Sequence, residues 1–193
     1  MKSLSILIPI YNEEESLQAL FDELKSSFEN NQSIEIIFIN DGSSDISQKV
    51  IENEIANHST WKLINLYRNY GKSVALQSGI DIASNELIAT LDGDLQDDPK
   101  ELISLVRELN EDDVIVGWKK DRLDPLEKKI ASKIFNFFIK LFSGLKIKDS
   151  NSGIKVLKKE VAKSLNLYGG RHRYIPLLAH QKGFNVKEIP VNH

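Results

Sequence analysis

Cysteine is absent from the 193 residues, so disulfide frameworks, thiolate metal sites and cysteine nucleophiles are all excluded, an absence that suits a reducing compartment. Long apolar runs are absent too. No stretch approaches the roughly 20 apolar residues that span a bilayer, so this chain as given is not expected to cross one. The opening MKSLSILIPIYNEEE has a short apolar run interrupted by proline and followed by acids, which reads as a first strand and not as a signal peptide. Linkers, repeats and low-complexity tracts are missing as well. With 41% hydrophobic residues the chain can bury a sizeable core, and its length fits one domain.

Charge is unevenly spread beneath a net value of -3. Residues 119–173 hold fifteen Lys or Arg against five Asp or Glu, so the remainder is strongly acidic. The basic block suits anions, and the acidic remainder suits a cation.

Buried strands are expected at 4–10 (LSILIPI), 34–40 (IEIIFIN), 61–67 (WKLINLY), 86–92 (ELIATLD) and 113–117 (DVIVG). Helices are expected over 14–28, near 45–57, near 72–84 and from Pro99 onward. Apolar strands alternating with helices predict an α/β fold with a parallel sheet covered on both faces. Beyond Gly117 the pattern changes to a long helix around 125–143, a short strand over 153–158, a helical segment near 174–182 and a final strand NVKEIPV.

Four aspartates fall within seven positions of TLDGDLQDDP, residues 90–99, directly behind an expected strand. In open parallel sheets ligands sit at the carboxyl ends of the strands, and NDGSSD (40–45) falls at such an end too. Asp41, Asp92 and Asp94 should therefore share one rim. Helix capping accounts for Asp45 and for Asp98, which directly precedes Pro99. It does not account for Asp92 and Asp94, which sit too early and repel each other without a cation. An EF-hand needs glycine at its sixth position and glutamate at its twelfth, whereas counting from Asp92 gives Asp97 and Ile103. A hard cation, Mg2+ or Mn2+, held by one or two carboxylates together with a diphosphate and waters, suits the D-x-D pair.

Six blocks occur in order: ILIPIYNEEESL, FINDGSSD, NYGKSVALQSGIDIA, LDGDLQDDP, DSNSGIKVLKKE and HRYIPLLAHQKGFNVKEIPVNH. Together they resemble the family 2 glycosyltransferases and, within them, the polyprenyl-phosphate sugar transferases related to dolichol-phosphate mannose synthase and to bacterial polyprenyl-phosphate glycosyltransferases. The resemblance covers essentially the whole chain. It implies a GT-A fold, a Rossmann-like, mostly parallel sheet flanked by helices, forming a single domain over 1–193. Within it, 1–117 is the nucleotide-sugar-binding half and 118–193 the acceptor-binding half. The same resemblance implies that Pro9, Tyr11, Asn12 and Glu13 line the nucleoside pocket and that Asp41 contacts base or ribose. It implies Lys72 near the donor phosphates or the base edge, Asp92 at ribose or sugar, and Asp94 and Gln96 on the metal. Asp149 matches the position proposed as the catalytic carboxylate. The family normally runs on past PVNH into an Arg-containing loop, often followed by transmembrane helices. A truncated chain is therefore expected, from a protein at the cytoplasmic face of a membrane.

The implied reaction is an inverting, metal-dependent transfer of a hexose from a UDP- or GDP-sugar to a polyprenyl (dolichyl or undecaprenyl) phosphate. A phosphate monoester, with a second pKa of about 6, is already largely ionised at neutral pH. Asp149 is thus expected to orient the acceptor, bind a sugar hydroxyl or stabilise positive charge more than to remove a proton. Lys119, Lys120, Arg122, Lys129, Arg171 and Arg173 are the candidates for acceptor and donor phosphates. Relatives often carry arginine where this chain has Lys119 and Lys129, and lysine keeps the charge without the bidentate fork. On a helical wheel of 129–142, Lys129, Lys133, Asn136 and Lys140 form a stripe opposite Ala131, Ile134, Phe135, Phe138, Leu141 and Phe142. That pattern fits a helix in a membrane interface, or one packed on the sheet. His172 reads either as a group near the acceptor phosphate or as a packing histidine, and His58 and His180 as structural or solvated. Two other readings compete: a saccharide hydroxyl as acceptor in cell-surface polysaccharide synthesis, and a catalytically silent nucleotide-sugar-binding module. The presence of Asp92, Asp94 and Asp149 speaks against the second. Nucleic acid is not expected as a partner, because the aromatics lie opposite the lysines and not between them.

Overall fold

The computed structural model describes residues 2–28, 31–119, 144, 145, 147, 149 and 152–191. The helix expected around 125–143, with Lys120, Arg122 and Lys129, lies outside the described residues, as does the side chain of Lys119. Among the described residues the strands are β1 (Leu4–Ile10), β2 (Ile34–Asn40), β3 (Trp61–Asn65), β4 (Leu87–Thr90), β5 (Val114–Lys119), β6 (Lys155–Lys158) and β7 (Val186–Val191). They form one sheet in the order β3-β2-β1-β4-β6-β5-β7. The helices are α1 (Leu17–Phe28), α2 (Ser47–Ile55), α3 (Lys72–Ile82), α4 (Lys100–Glu108), α5 (Lys159–Ser164) and α6 (Ile175–Gln181). None of them is long and apolar enough to cross a membrane.

β1 and β2 fill the spans expected of them, because a strand buried on both faces is a continuous apolar run bounded by polar turns. Alternate side chains serve alternate faces. Leu4, Ile6, Ile8, Ile36 and Phe38 pack with α1, α2 and α4, and Phe21 meets Phe38 edge to face with centroids 5.6 Å apart. Leu7, Ile37, Ile39, Val114 and Leu157 pack with α3, α5 and α6 on the other side. Helix α1 starts at Leu17 and not at 14, because the preceding acids serve the loop. Helix α5 was not foreseen: six residues following directly on a strand are too few to show a helical period.

The chain winds outward from β1 to β3 with α1 and α2 on one face, then returns through α3 on the other face to β4. A crevice is expected where the winding reverses, at the carboxyl ends of β1 and β4. The ladder there ends at Leu7 opposite Thr90, with the Leu91 N–H donating to the Leu7 carbonyl at 3.0 Å. Pro9 points to the same side as Leu7 and has no N–H to offer, so the strands part at that point.

The expectation of a mostly parallel sheet holds, with one strand reversed. β6 is antiparallel to both neighbours and sets Lys155 opposite Thr90 on one side and Val116 on the other. The reversal brings the residues that precede β6, Asp149, Ser152 and Gly153, to the rim where β4 ends. A parallel β6 would have left them at the far edge of the sheet.

At the amino ends of the strands, Glu35 is buried and accepts hydrogen bonds from Ser5 Oγ at 2.5 Å and from the Ser84 N–H and Oγ at 3.1 and 3.0 Å. It also pairs with Lys62. Burial pushes this carboxyl up, but Lys62, Ser5 and Ser84 outweigh burial and hold it below the usual range. A lowered folded-state pKa stabilises the fold above the unfolded value, and that stabilisation is lost as the pH falls through the folded value. Glu35→Gln is therefore expected to cost about 1–3 kcal/mol near neutral pH. The deficit should shrink below the ordinary glutamate value of 4.5. Thermal melts across that range check this, and a deficit independent of pH would refute it.

Candidate active site

A cleft of about 300 Å³ opens where β1 and β4 part. Pro9, Tyr11 and Glu13 line it from the end of β1, Asp41 from β2, Asn69, Gly71 and Lys72 from the approach to α3, and Asp92, Gly93 and Asp94 from β4. Of the residues assigned by resemblance to the nucleotide-sugar, all but Asn12 meet here. Asn12 adopts a φ of 54° and turns to the neighbouring loop, accepting the Ser44 N–H at 2.8 Å and donating its own N–H to Ser43 Oγ at 3.0 Å. The Glu13 N–H donates to Ser47 Oγ at 3.0 Å, and the Ile46 N–H to Glu14 Oε2 at 2.9 Å. These bonds clamp the β1 and β2 loops together. Asp45 serves the start of α2 as expected, accepting the Ser47 N–H at 3.0 Å and the Glu14 N–H at 3.2 Å. Burial opposes its charge, but the bonds from Ser47 and Glu14 hold its carboxyl below the usual range.

Asp41 is buried and braces the cleft's far wall. Its two oxygens accept the N–H groups of Tyr70 and Gly71, each at 2.8 Å. A carboxylate has about four lone-pair sites, so capacity remains on the cleft side. Gly42 makes this approach possible. At its φ of +70° any Cβ would lie 2.3 Å from the backbone carbon of Arg68.

Asp92 pairs with Lys72 at 2.5 Å across the cleft floor. Asp94 is exposed at the rim, and its Oδ1 accepts the Gln96 N–H at 3.2 Å. Between them Leu95 takes a φ of 61°, a strained conformation for a bulky side chain. Gln96 lies in a separate depression beside Ser26 and Lys100, so the structure brings Asp94 but not Gln96 to the cleft. No cluster of three His, Cys, Asp or Glu gathers among the described residues. A divalent cation at Asp94 would depend on phosphate oxygens and waters for most of its shell. The exposed carboxylate of Asp94 fits that pattern, which is usual for Mg2+. Asp98 accepts the Lys100 N–H at 2.9 Å, in keeping with a capping role at α4.

Behind Asp92 lies a second group of charges. Asp97 and Asp149 are buried, and the Asp149 N–H donates to Glu188 Oε1 on β7 at 2.7 Å. Lys155 is buried too and donates to the Ser152 carbonyl. Burial pushes the Lys155 ammonium down to about 8, Lys72 adds to the effect, and Asp92, Asp149 and Asp97 act against it. At Gly153 a Cβ would lie 2.5 Å from Asp97 Oδ2 and 2.8 Å from Asp92 Cγ, so only glycine lets the two acids close over the chain here. Asp97, Gly153, Lys155 and Glu188 escaped the sequence reading. The available signal was a lysine inside the apolar GIKVLK, and it becomes informative only once β6 is known to be a central strand.

The HRY segment forms a 3-10 turn, Arg171–Tyr174, against the start of α3. The His172 N–H donates to Ser73 Oγ at 3.0 Å, and the same hydroxyl bonds its Nδ1 at 2.9 Å. Burial pushes this imidazole down to about 4, with Lys72, Arg173 and Lys155 assisting and Asp92 opposing. His172 is neutral at physiological pH and docks the turn onto α3. The Arg171 guanidinium lies 4.5 Å over the Tyr168 ring and donates to the Asn166 carbonyl at 3.1 Å, while Arg173 is exposed. His58, expected to be structural or solvated, stacks on Trp61 at 4.1 Å.

A doubly wound sheet with acids gathered at its β1–β4 switch point, and one reversed strand bringing another acid behind them, defines the GT-A class of glycosyltransferase folds. Solved structures share it. A mannosyltransferase from Pyrobaculum calidifontis, in complex with GDP-Man and Mn2+, superposes with a TM-score of 0.74 at 14% identity, over 98% of this chain and 55% of that one. Mannosyl-3-phosphoglycerate synthase from Rubrobacter xylanophilus gives 0.77 at 18% identity, over 99% and 66%. Residues 5–165 match Glycosyl transferase family 2, and the chain belongs to that family. It is 37% identical over 178 residues to dodecaprenyl-phosphate galacturonate synthase of Rhizobium johnstonii, covering 90% of this chain and 53% of that protein. It is 35% identical over 198 residues to undecaprenyl-phosphate 4-deoxy-4-formamido-L-arabinose transferase of Salmonella choleraesuis, covering 100% and 60%. The chain therefore spans little more than half the length of these relatives.

Proposed function

We propose that this chain is the catalytic part of an inverting, divalent-metal-dependent transferase that moves a hexose from a UDP- or GDP-sugar to polyprenyl phosphate at a membrane surface. The observation that carries the reading is the convergence of Asp41, Lys72, Asp92 and Asp94 on one cleft. Support for the acceptor comes from the two relatives, whose names both carry a polyprenyl phosphate. Support for the donor and metal comes from structural neighbours solved with GDP-Man or UDP-Glc and Mn2+.

In this reading Pro9, Tyr11 and Glu13 border the nucleoside, and Asp41 meets base or ribose with the lone pairs its backbone bonds leave over. Lys72 exchanges Asp92 for a donor phosphate, which turns Asp92 toward ribose or sugar. Asp94 would hold Mg2+ or Mn2+ from the cleft rim, while Gln96, in its separate depression, stays off the ion. The ion supplies charge neutralisation on the departing diphosphate. Asp149, pinned through its backbone to Glu188, orients the acceptor or faces developing positive charge. Arg173 and the basic segment with Lys119, Arg122 and Lys129 meet the acceptor phosphate, and Arg171 joins them on leaving Tyr168.

The test is transfer by the intact protein from a panel of UDP- and GDP-sugars, with and without polyprenyl phosphate, in Mg2+ or Mn2+ and then in EDTA. One donor should give a sugar-phospholipid, and EDTA should reduce the rate by about 100-fold or more. Undiminished transfer in EDTA would remove the metal from the scheme. A donor that binds but never reaches lipid phosphate would put a saccharide hydroxyl in the acceptor's place.

A further inference from the structure

Among the described residues Lys155 is the one lysine in the buried interior, 4% exposed. It sits on a strand paired on both sides, so its backbone cannot shift without breaking two ladders. Its ammonium donates to the Ser152 carbonyl, and the charges acting in its favour come from Asp92, Asp97 and Asp149, with Lys72 acting against. A buried ammonium is retained only where charges and hydrogen bonds compensate its desolvation. Those acids in turn are crowded. Gly153 has no room even for a methyl group between Asp97 and Asp92, and carboxylates so close repel unless a cation stands among them. Lys72 meets Asp92 from the cleft side. Lys155 lies on β6 opposite Thr90 and two residues from Gly153, against which Asp92 packs, and so stands on the interior side.

We propose that Lys155 is a positioning residue, a fixed internal cation that holds the Asp92 and Asp149 side chains in place from behind the cleft. Its catalytic consequence rests on the transferase reading above. Lys155 touches neither donor nor acceptor, and acts through the two acids. The central position of β6, between β4 and β5, is what puts this lysine in the interior.

Two measurements test this. Crystal structures of the wild type and of Lys155→Met should show the Asp92 or Asp149 side chain swung to another rotamer in the variant. In transfer kinetics Lys155→Met should lower kcat/KM for the donor by about 100-fold, and Lys155→Arg, which keeps the charge, should recover about tenfold of the loss. Lys155→Gln replaces Lys155→Met if that variant fails to fold. Unmoved Asp92 and Asp149 in the folded uncharged variant, or turnover equal to wild type, would overturn the proposal. A wild type that transfers no sugar would sink the transferase reading instead, and the paired crystal structures would still decide the role of Lys155.

Discussion

Asp149→Asn is expected to lower turnover by about 100-fold while leaving the donor KM within roughly threefold of wild type. The substitution keeps shape and volume and removes charge. Asp149 is 5% exposed and does not line the cleft, whose walls come from the ends of β1, β2 and β4 and the start of α3. Its backbone is held by Glu188 Oε1 at 2.7 Å, a bond from the main chain that asparagine preserves. The nucleotide-sugar should therefore bind as before. The loss is of a fixed negative charge at the rim where β4 ends, and a fixed charge matters most where charge develops in the transition state. Steady-state kinetics with varied donor check this: kcat and kcat/KM should fall together. Unchanged turnover would remove Asp149 from the mechanism.

Gly42→Ala is expected to destabilise the fold by about 3 kcal/mol, through the left-handed backbone and the overlap it forces, and to abolish nucleotide binding. For a domain of this size that corresponds to a fall in Tm of about 6–12 °C. The atoms a Cβ would meet are Arg68 C at 2.3 Å, Arg68 Cα at 2.5 Å and Asn69 N at 2.7 Å, all backbone. No side-chain rotation can relieve them. The segment pushed away is the one whose Tyr70 and Gly71 amides bond Asp41, and it leads directly into Lys72. Losing that brace opens one wall of the cleft. Gly183→Ala is the control: its φ is +87° but nothing lies within 4 Å of the added carbon, so only the backbone cost of about 1 kcal/mol should appear. Calorimetric titration with UDP and GDP, beside melts of both variants, separates the two effects. If Gly42→Ala binds nucleotide like wild type, the brace is not needed for binding.

Much of this arrangement was legible in the chain. The ends of β1 and β2 were readable because a strand buried on both faces leaves an unbroken apolar run with polar residues at each end. The acids at 41, 92 and 94 were readable because parallel strands of this kind deliver the residues at their carboxyl ends to one rim. Asn12 was harder. Its neighbours line the cleft, but a left-handed φ turns it into the next loop, and a single residue's dihedral leaves no pattern in the sequence. Gln96 obeys the same logic: Leu95, at a φ of 61°, redirects the chain between Asp94 and Gln96 and parts two residues that stand close together in sequence. His172 was open to two readings, and burial beside Lys72, Arg173 and Lys155 decides for a neutral, docked imidazole.

By itself the sequence determined the α/β winding out to β4 and the gathering of Asp41, Asp92 and Asp94 on one rim, because local apolar periodicity encodes each strand and helix and the crossover rule does the rest. Only the tertiary structure decided that β6 runs backwards between β4 and β5. That pairing sets Thr90 opposite Lys155, with the Thr90 hydroxyl donating to the Gly153 carbonyl 63 residues away, and depends on which strand edges remain open once the first half has folded. No local pattern carries such information. The burial of Lys155 results from that central position, and the placing of Asp149 behind Asp92 from the reversal.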